Sequence, residues 1–567
     1  MQLSHTFVWR LTVCLMGLLS PLLFASSDPN LSVSSNSFSF VVLEAGTNPA
    51  DQPLTISNPG GGTLDWSLDL TDQPAWLSVL PTSGSLYPNE SETVTLSVNS
   101  TVLSDGLYSY AFDVFDPAAQ NSPQTLTVYL KVGSALFVPG NFPTIQMAID
   151  ASIDGDTVFV SPGTYYENIN FNGRNIVLTS TDPEDSNVVA STIIDGGGNG
   201  SVVTFSGTET SFCLLQGFTV KGGVPVTALR YGGGVCGNHT HATISCCTIT
   251  DNLVDAYYTS YGGGLSQCDG LISNCSITHN QAMSGGGLYD CDGLIVDCDI
   301  SNNLAQTYYF DDDFIVWLGY GGGLASCDGT IANCNIHHNR AKWGTIIISP
   351  YDQAYCYGGG LYQCDGSITN CTIMGNVSGE WGGGLYYCMG TVTNSIIWGN
   401  SARDGNQLYY GSTPTYSCIQ NWAGGGIASD PLFADAANDD YHLKSEYGRW
   451  DSNTQQWMYD DVTSPCIDAG KPDPDDWHNE LWPHGGRINM GAYGGTPQAS
   501  MSGSPVGNVA DLDHDDAVGI SDLLLFSEDW LMAKYLRDTD LNRDGLLDIA
   551  DFAEFANQWL WTEPEFQ

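Results

Sequence analysis

Two stretches near the C-terminal end carry the sharpest chemistry in the sequence: DLDHDDAVGISD at 511–522 and DLNRDGLLDIAD at 540–551. Each places oxygen donors at loop positions 1, 3, 5 and 12. These are Asp511, Asp513, Asp515 and Asp522, then Asp540, Asn542, Asp544 and Asp551. Position 7, Ala517 or Leu546, adds a backbone carbonyl. A hard cation such as Ca2+ needs several oxygens converging at roughly 2.3–2.6 Å, and a loop of about twelve residues wraps that far. Gly545 supplies the sharp turn at position 6 of the second loop, whereas Asp516 stands there in the first and makes that geometry harder to reach. The segments DLLLFSEDWLM and DFAEFANQWL follow the loops and have the apolar period of helices. The expectation is two Ca2+ ions, one per loop.

A second set of residues has the chemistry to handle sugars. Three insertions, LVDAYYTSY (253–261), LAQTYYFDDDFIVWLGY (304–320) and RAKWGTIIISPYDQAYCY (340–357), each precede a GGG triplet. Insertions at one corner of neighbouring repeats gather on one face. They offer Tyr257, Tyr308, Trp317 and Trp343 as platforms for sugar rings, beside the charged groups Asp255, Asp311, Asp312, Asp313, Arg340 and Lys342. Two mechanisms fit. A lyase on uronic-acid glycans needs a base for the C5 proton and a cation for the carboxylate; Arg340 or Lys342 could be the base, with Asp311–Asp313 holding Ca2+. A hydrolase needs two carboxylates about 5–9.5 Å apart, for which Asp255 and one of Asp311–Asp313 are candidates. Loops that only pack together, or only bind, satisfy the same pattern. Whether the protein is an enzyme therefore stays open. His279, His337 and His338 fall near turns of the repeat and read as surface histidines.

These residues are positioned by the repeat GGGLSQCDGLISNCSITHN (262–280), GGGLYDCDGLIVDCDISNN (285–303), GGGLASCDGTIANCNIHHN (321–339) and GGGLYQCDGSITNCTIMGN (358–376), with weaker copies at 232–252 and 382–400. A short recurrence with β-type runs and no helical period marks a solenoid, one coil per repeat, with equivalent residues stacked at ~4.8 Å. Cys268, Cys291, Cys327, Cys364 and Cys388 form one ladder, and Cys247, Cys275, Cys298, Cys334 and Cys371 another. Small thiols suit a narrow interior; occasional disulfides are the alternative. Asn252, Asn280, Asn303, Asn339, Asn376 and Asn400 suit a left-handed turn or stacked amides. Asp269, Asp292, Asp328 and Asp365, each in a CDG, read as turn residues, with a calcium-stabilised edge as the alternative.

The sequence opens with Arg10, an apolar run from Leu11 to Phe24 and then small residues, the pattern of a secretory signal over 1–27. No later run is long enough to span a bilayer. Acids outnumber bases 63 to 15, and no Lys/Arg cluster exists to grip phosphates. Nucleic-acid partners are thereby excluded, and an extracellular or cell-surface location is expected. Residues 31–133 alternate like an all-β sandwich, and the string LTISNPGGGTLDWSLD…PAWLSVLPTSGSL resembles a BACON-type immunoglobulin-like module. That resemblance implies placement or binding rather than chemistry.

FPTIQMAIDASIDGDTVFVSPGTYYENINFNGRNIVLTST (142–182) resembles the opening of right-handed parallel β-helices of the pectin-lyase-like superfamily. Ile145, Ala148 and Ile149 are spaced to let a short helix cover the open end of the stack. The β-helix is assigned to 136–427. Terminal coils and a C-terminal cap follow at 428–500, where the sequence resembles closing segments of bacterial β-helices. The catalytic signatures of pectate lyases and polygalacturonases are absent. Residues 504–562, with their paired loops, resemble a type I dockerin. The resemblance implies calcium-dependent folding, a cohesin-like partner, and recognition through Ile520, Ser521, Ile549 and Ala550, which are more apolar than the family's usual pair. The expected fold is thus mainly β: a right-handed parallel β-helix, an N-terminal β-sandwich and a small α-helical calcium-binding dockerin. The expected role is to act on or bind extracellular polysaccharide while tethered to a complex. A non-catalytic adhesive surface protein is the alternative.

Overall fold

The computed structural model describes residues 28–562 apart from 43–47, 102, 105, 120, 134, 226–229, 256–258, 312–313, 343–352, 425, 473–476, 515–516, 529, 531–535 and 545. The segment assigned to the secretory signal lies outside the described residues.

The N-terminal unit is a two-sheet sandwich. Ser32–Val33, Gln52–Ser57, Ser91–Val98 and Leu77–Leu80 form one sheet. Ser37–Val42, Gln124–Val132, Gly106–Phe115, Leu64–Asp69 and Ser83–Leu86 form the other. Alternation buries one face of each strand: Leu54 and Ile56, Val94 and Leu96, Leu126 and Val128 all point inward. Trp66 and Trp76 are 1% and 7% exposed, so they fill this core and have no face free for a sugar.

The second unit is a parallel β-helix. Two ten-stranded sheets and one nine-stranded sheet run its length, each taking one strand per coil. Their inward residues stack in register. Ile244, Ile272, Ile295, Ile331 and Ile368 align in one sheet. Ile249, Ile277, Ile300, Ile336 and Ile373 align in the next. Leu265, Leu288, Leu324, Leu361 and Leu385 align in the third. Helix α1 (Ile145–Ala151), N-capped by Thr144, adds Ile145, Ala148 and Ile149 to the same core.

Four single residues per coil turn the chain through left-handed backbone. In the coil beginning at Gly285 they are Gly285, Asp290, Asp297 and Asn302, with φ of 63°, 55°, 53° and 55°. Asn, Asp and Gly reach this region most cheaply, which is why they recur there. The ladder asparagines are therefore not themselves the left-handed residues; each follows one. Their side chains instead form the stacked-amide column. Asn303 Nδ2 donates to Ile277 O at 2.7 Å and to Asn339 Oδ1 at 3.0 Å, and the pattern repeats from Asn252 to Asn400. The middle glycine of each GGG has a different reason. A Cβ on Gly286 would press into the carbonyl oxygen of Gly322 in the next coil.

The CDG aspartates also form a ladder. Asp292 Oδ1 accepts the Asp328 N–H at 2.8 Å, and Asp328 Oδ1 accepts that of Asp365 at 2.8 Å. Each carboxylate thus closes the turn of the next coil. The cysteines of both ladders are buried free thiols. Burial pushes the thiols of Cys291, Cys327 and Cys364 well above the usual range.

Beyond the repeats, Phe433–Asp435 pairs with Asp440–Leu443, and Arg449–Asp451 with Gln456–Met458. The chain then turns back along the flank of the coils. Gly491 N–H donates to Asn394 O at 2.8 Å, and Asn370 Nδ2 and Asn333 Nδ2 donate to Gly494 O at 2.9 and 2.8 Å. This segment therefore straps the side of the helix as well as following its last coil. Helices α3 (Ile520–Glu528) and α4 (Ile549–Gln558) close the described chain; α2 is Ser186–Ser191. Both α3 and α4 begin two residues before the predicted segments, because position 12 of each loop lies inside the first helical turn. Among the described residues no helix is long and apolar enough to cross a membrane.

Candidate functional site

The glycine corner carries a strip of aromatic rings that the insertions alone did not reveal. Each ring comes from the residue just before GGG or just after GGGL, except that Tyr409 follows the corresponding GNQL at 405–408. Tyr231 and Tyr261 lie 5.1 Å apart, and Tyr261 and Tyr289 4.5 Å. Farther along, Tyr320 meets Tyr362 at 5.2 Å, Tyr362 meets Tyr386 at 5.6 Å and Tyr386 meets Tyr409 at 6.0 Å. Tyr357 and Trp381 stack beside them at 4.9 Å. The coil spacing of ~4.8 Å sets these separations. The rings of Tyr362, Tyr386 and Tyr409 stack nearly parallel, at 2° and 4°, and each is half-buried. Burial pushes the Tyr289 phenol up to about 12 and raises that of Tyr386. The hydroxyls stay protonated at neutral pH and act as hydrogen-bonding groups rather than bases. The sequence signal was Tyr-GGG-Leu-Tyr, visible in YGGGLYQ at 357–363.

The insertions widen this corner. Thr307–Asp311 and Phe314–Tyr320 form an antiparallel hairpin, and Gln353–Tyr357 adds in parallel. Tyr308 is exposed, but Trp317 is 4% exposed with its ring 4.9 Å from Tyr308. Trp317 is therefore packing, not a free platform. Tyr257, Trp343, Asp312 and Asp313 lie outside the described residues, as does the side chain of Asp311. Asp255, Arg340 and Lys342 are exposed. Leu253 aligns with Gln281, Gln281 with Leu304, and Leu304 with Arg340. Asp255 and Lys342 each stand two residues further on, so three coils, about 14 Å, separate them. Neither mechanism pairs these two with each other; each pairs one of them with Asp311–Asp313, whose side chains lie outside the described residues.

A cleft of about 720 Å³ opens instead on the strapped flank. Asn274, Asp297, Asp299 and Asn335 line it from the coils, and Tyr493 and Gln498 from the strap. Its polar walls suit a hydroxyl-rich ligand, and its size falls within the range of small-molecule sites. Burial raises the Asp297 carboxyl and pushes the Tyr493 phenol up to about 12. Asp299 also reaches the His337 ring, with Oδ2 3.0 Å from Nε2. His337 is 2% exposed, which corrects its reading as a surface histidine.

In the first acidic loop one donor oxygen from each of Asp511, Asp513 and Asp522 lies within 4.8 Å of the others. Asp522 is fully buried and accepts the N–H groups of Leu512, Asp513 and Gly519 at 2.6, 3.1 and 2.7 Å. In the second, buried Asp551 accepts the N–H groups of Asn542 and Asp548. Asn542 Oδ1 and Asp544 Oδ1 accept the N–H groups of Asp544 and Leu546. The donor set, carboxylates plus loop carbonyls, is one that fits a hard cation. Ala517 lies in the first loop, bridged to Thr562. Asp515 is outside the described residues, and Asp540 is buried. Ile520 and Ile549 head their helices and are each 70% exposed. Ser521 is half-buried and Ala550 exposed.

Fold and corner together define a parallel β-helix with a decorated face, and comparison with known families agrees on the architecture. Residues 208–402 match the model of the right-handed β-helix region, and residues 30–132 that of the viral BACON domain. Residues 368–470 match a family described as disaggregatase related. No curated protein matches the chain. Among solved structures, pectin methylesterase from carrot aligns at 15% identity over 53% of this chain and 88% of its own, with a TM-score of 0.24. A mutant pectin methylesterase in complex with a hexasaccharide aligns at 12% over 54% and 94%, with a TM-score of 0.25. A PapD-like domain of human CEP192 aligns at 17% over 23% and 96%, with a TM-score of 0.16.

Proposed function

We propose that this protein is exported, binds extended extracellular polysaccharide along its tyrosine-lined corner, and is held in a larger assembly by a calcium-loaded C-terminal module. The strip of half-exposed Tyr and Trp rings over successive coils carries the reading. A regular row of aromatic rings and phenol hydroxyls offers repeated apolar and hydrogen-bonding contact to a regular chain of sugars. A second reading, processing of a glycan in the flank cleft with Asp297 and Asp299 as its carboxylates, is favoured by the polar lining of that cleft.

One experiment separates them. The mature protein is run through gels containing neutral and acidic polysaccharides with Ca2+, and the same mixtures are analysed by mass spectrometry. Retention without fragments supports the binding reading. Fragments that have lost water mean a lyase, and fragments that have gained water mean a hydrolase. Neither retention nor fragments across a broad panel sinks the proposal.

The tether rests on the two acidic loops and on the exposed Ile520 and Ile549. With Ser521 and Ala550 they would meet a cohesin-like partner, one Ca2+ ordering each loop. Capture of a cohesin by the full chain with Ca2+, lost on chelation, is the expected result; no capture of any cohesin tested would leave the loops as calcium sites without a docking role. Export rests on the N-terminal apolar run and the acidic composition.

A further inference from the structure

We propose that His337, His338 and Asp439 form a binding site for a divalent transition-metal ion of the zinc type. The three donor atoms make a nearly equilateral triangle. His337 Nδ1 lies 3.1 Å from His338 Nδ1 and 3.3 Å from Asp439 Oδ1, and His338 Nδ1 lies 3.2 Å from Asp439 Oδ1. Three ligands of a tetrahedral ion, each ~2.0–2.1 Å from the metal, are separated by about 3.3 Å. The cluster therefore has the dimensions of one face of such a site.

The tautomer is fixed from behind. His337 Nε2 faces Asp299 Oδ2 at 3.0 Å. A carboxylate only accepts, so the proton of a neutral His337 ring belongs on Nε2. That leaves Nδ1 with its lone pair as the acceptor atom facing His338 Nδ1 and Asp439 Oδ1. A carboxylate behind a ligating histidine is the arrangement that orients such rings. The Tyr441 hydroxyl donates to Asp439 Oδ1 at 3.0 Å and steadies the third donor. Imidazole nitrogens with a single carboxylate favour zinc-type ions over Ca2+, which takes oxygen ligands.

The site also joins distant parts of the chain. His337 ends a coil strand and His338, left-handed at φ 53°, follows it, whereas Asp439 is the left-handed residue, φ 63°, between the paired strands Phe433–Asp435 and Asp440–Leu443. A bound ion would pin the closing region to the coil. The side chains of His338 and Asp439 are 40% and 46% exposed, so a fourth coordination position faces solvent. Asp299 connects the cluster to the wall of the flank cleft.

The test uses the full chain without a polyhistidine tag, stripped by chelator and then held in excess Ca2+ so that the acidic loops are occupied. Co2+ is added while ligand-field absorption is followed, and Zn2+ is used to displace it. The expected result is one equivalent bound, with affinity at least about 10-fold weaker in His338→Ala and in Asp439→Asn. Asparagine tolerates left-handed backbone, so the second variant keeps the turn, and a thermal melt checks both folds. His514→Gln, in the separate cluster of His478, His484 and His514, should bind as the parent does. No nitrogen-ligand spectrum, or binding unmoved in both site variants, would overturn the proposal and leave a hydrogen-bonded cluster only. Binding lost in His514→Gln alone would overturn it as well.

Discussion

Asn339→Ala should be among the most damaging single substitutions in the β-helix. The Asn339 side chain is fully buried. Its Nδ2 donates to Ile300 O at 2.7 Å and Asn376 Oδ1 at 3.1 Å. Its Oδ1 accepts both the backbone N–H and the Nδ2 of Asn303, each at 3.0 Å. Alanine strands these two donors of Asn303 where water does not reach. Each unsatisfied buried group costs about 1–3 kcal/mol, so the loss should be about 2–6 kcal/mol. Asn339→Asp separates hydrogen bonding from shape. It keeps the volume and the acceptor but turns a buried carboxylate toward Ile300 O and Asn376 Oδ1. It should be at least as damaging near neutral pH and partly recover in acid, where the protonated carboxyl can donate. Urea unfolding of the full chain measures both, with the outward-facing Thr278→Ala as the control. A loss under about 1 kcal/mol for Asn339→Ala, or an Asn339→Asp variant as stable as the parent at neutral pH, would refute the idea that the amide column holds the coils in register.

Four further outcomes follow from the same geometry. Tyr386→Ala, which removes the ring between Tyr362 and Tyr409, should lower polysaccharide retention at least several-fold without shifting the thermal melt of the coils by more than a few degrees. Chelating Ca2+ should melt α3 and α4 by circular dichroism at lower temperature, and Asp522→Ala should remove that calcium dependence from the first loop. Thiol labelling at pH 8 should reach the half-buried Cys236 and Cys246 under native conditions and the ladder cysteines only after unfolding, because burial keeps the latter protonated. Buried Glu480 accepts the N–H groups of Asn489 and Gly495 at 2.7 and 2.8 Å, and burial pushes its carboxyl up to about 8 from an ordinary 4.5. The folded state then holds the extra proton, so this group's contribution to stability falls as pH rises from about 4.5 to 8. Glu480→Gln should flatten that slope. His484, pushed down to about 4 by burial, opposes the trend below pH 6.5.

The repeat was readable because every coil buries the same positions. Leu after GGG, Ile in each short run and the two cysteines recur, since one coil rests directly on the next and sees the same interior. The sandwich followed from alternation for a similar local reason. The corners were harder: the conspicuous asparagine marked the amide column, while the left-handed backbone fell on the less regular residue before it. Trp317 looked like a platform because its composition resembles that of a binding loop, yet the hairpin folds it inward. The aromatic strip was present as Tyr-GGG-Leu-Tyr but is diluted by the coils that lack one of its rings.

The sequence by itself determined the solenoid, the sandwich and the two acidic loops, because each depends on contacts within a repeat, between neighbouring repeats or along one loop. Only the tertiary structure decided which distant groups meet. Asp439 stands about a hundred residues from His337 and His338, and the strap at 491–498 lies about a hundred or more from the coil residues that hold it. Those encounters depend on the closing segment turning back along the flank, held by Asn333, Asn370 and Asn394. Periodicity encodes the contacts that each coil repeats, and it carries no record of a fold-back made once.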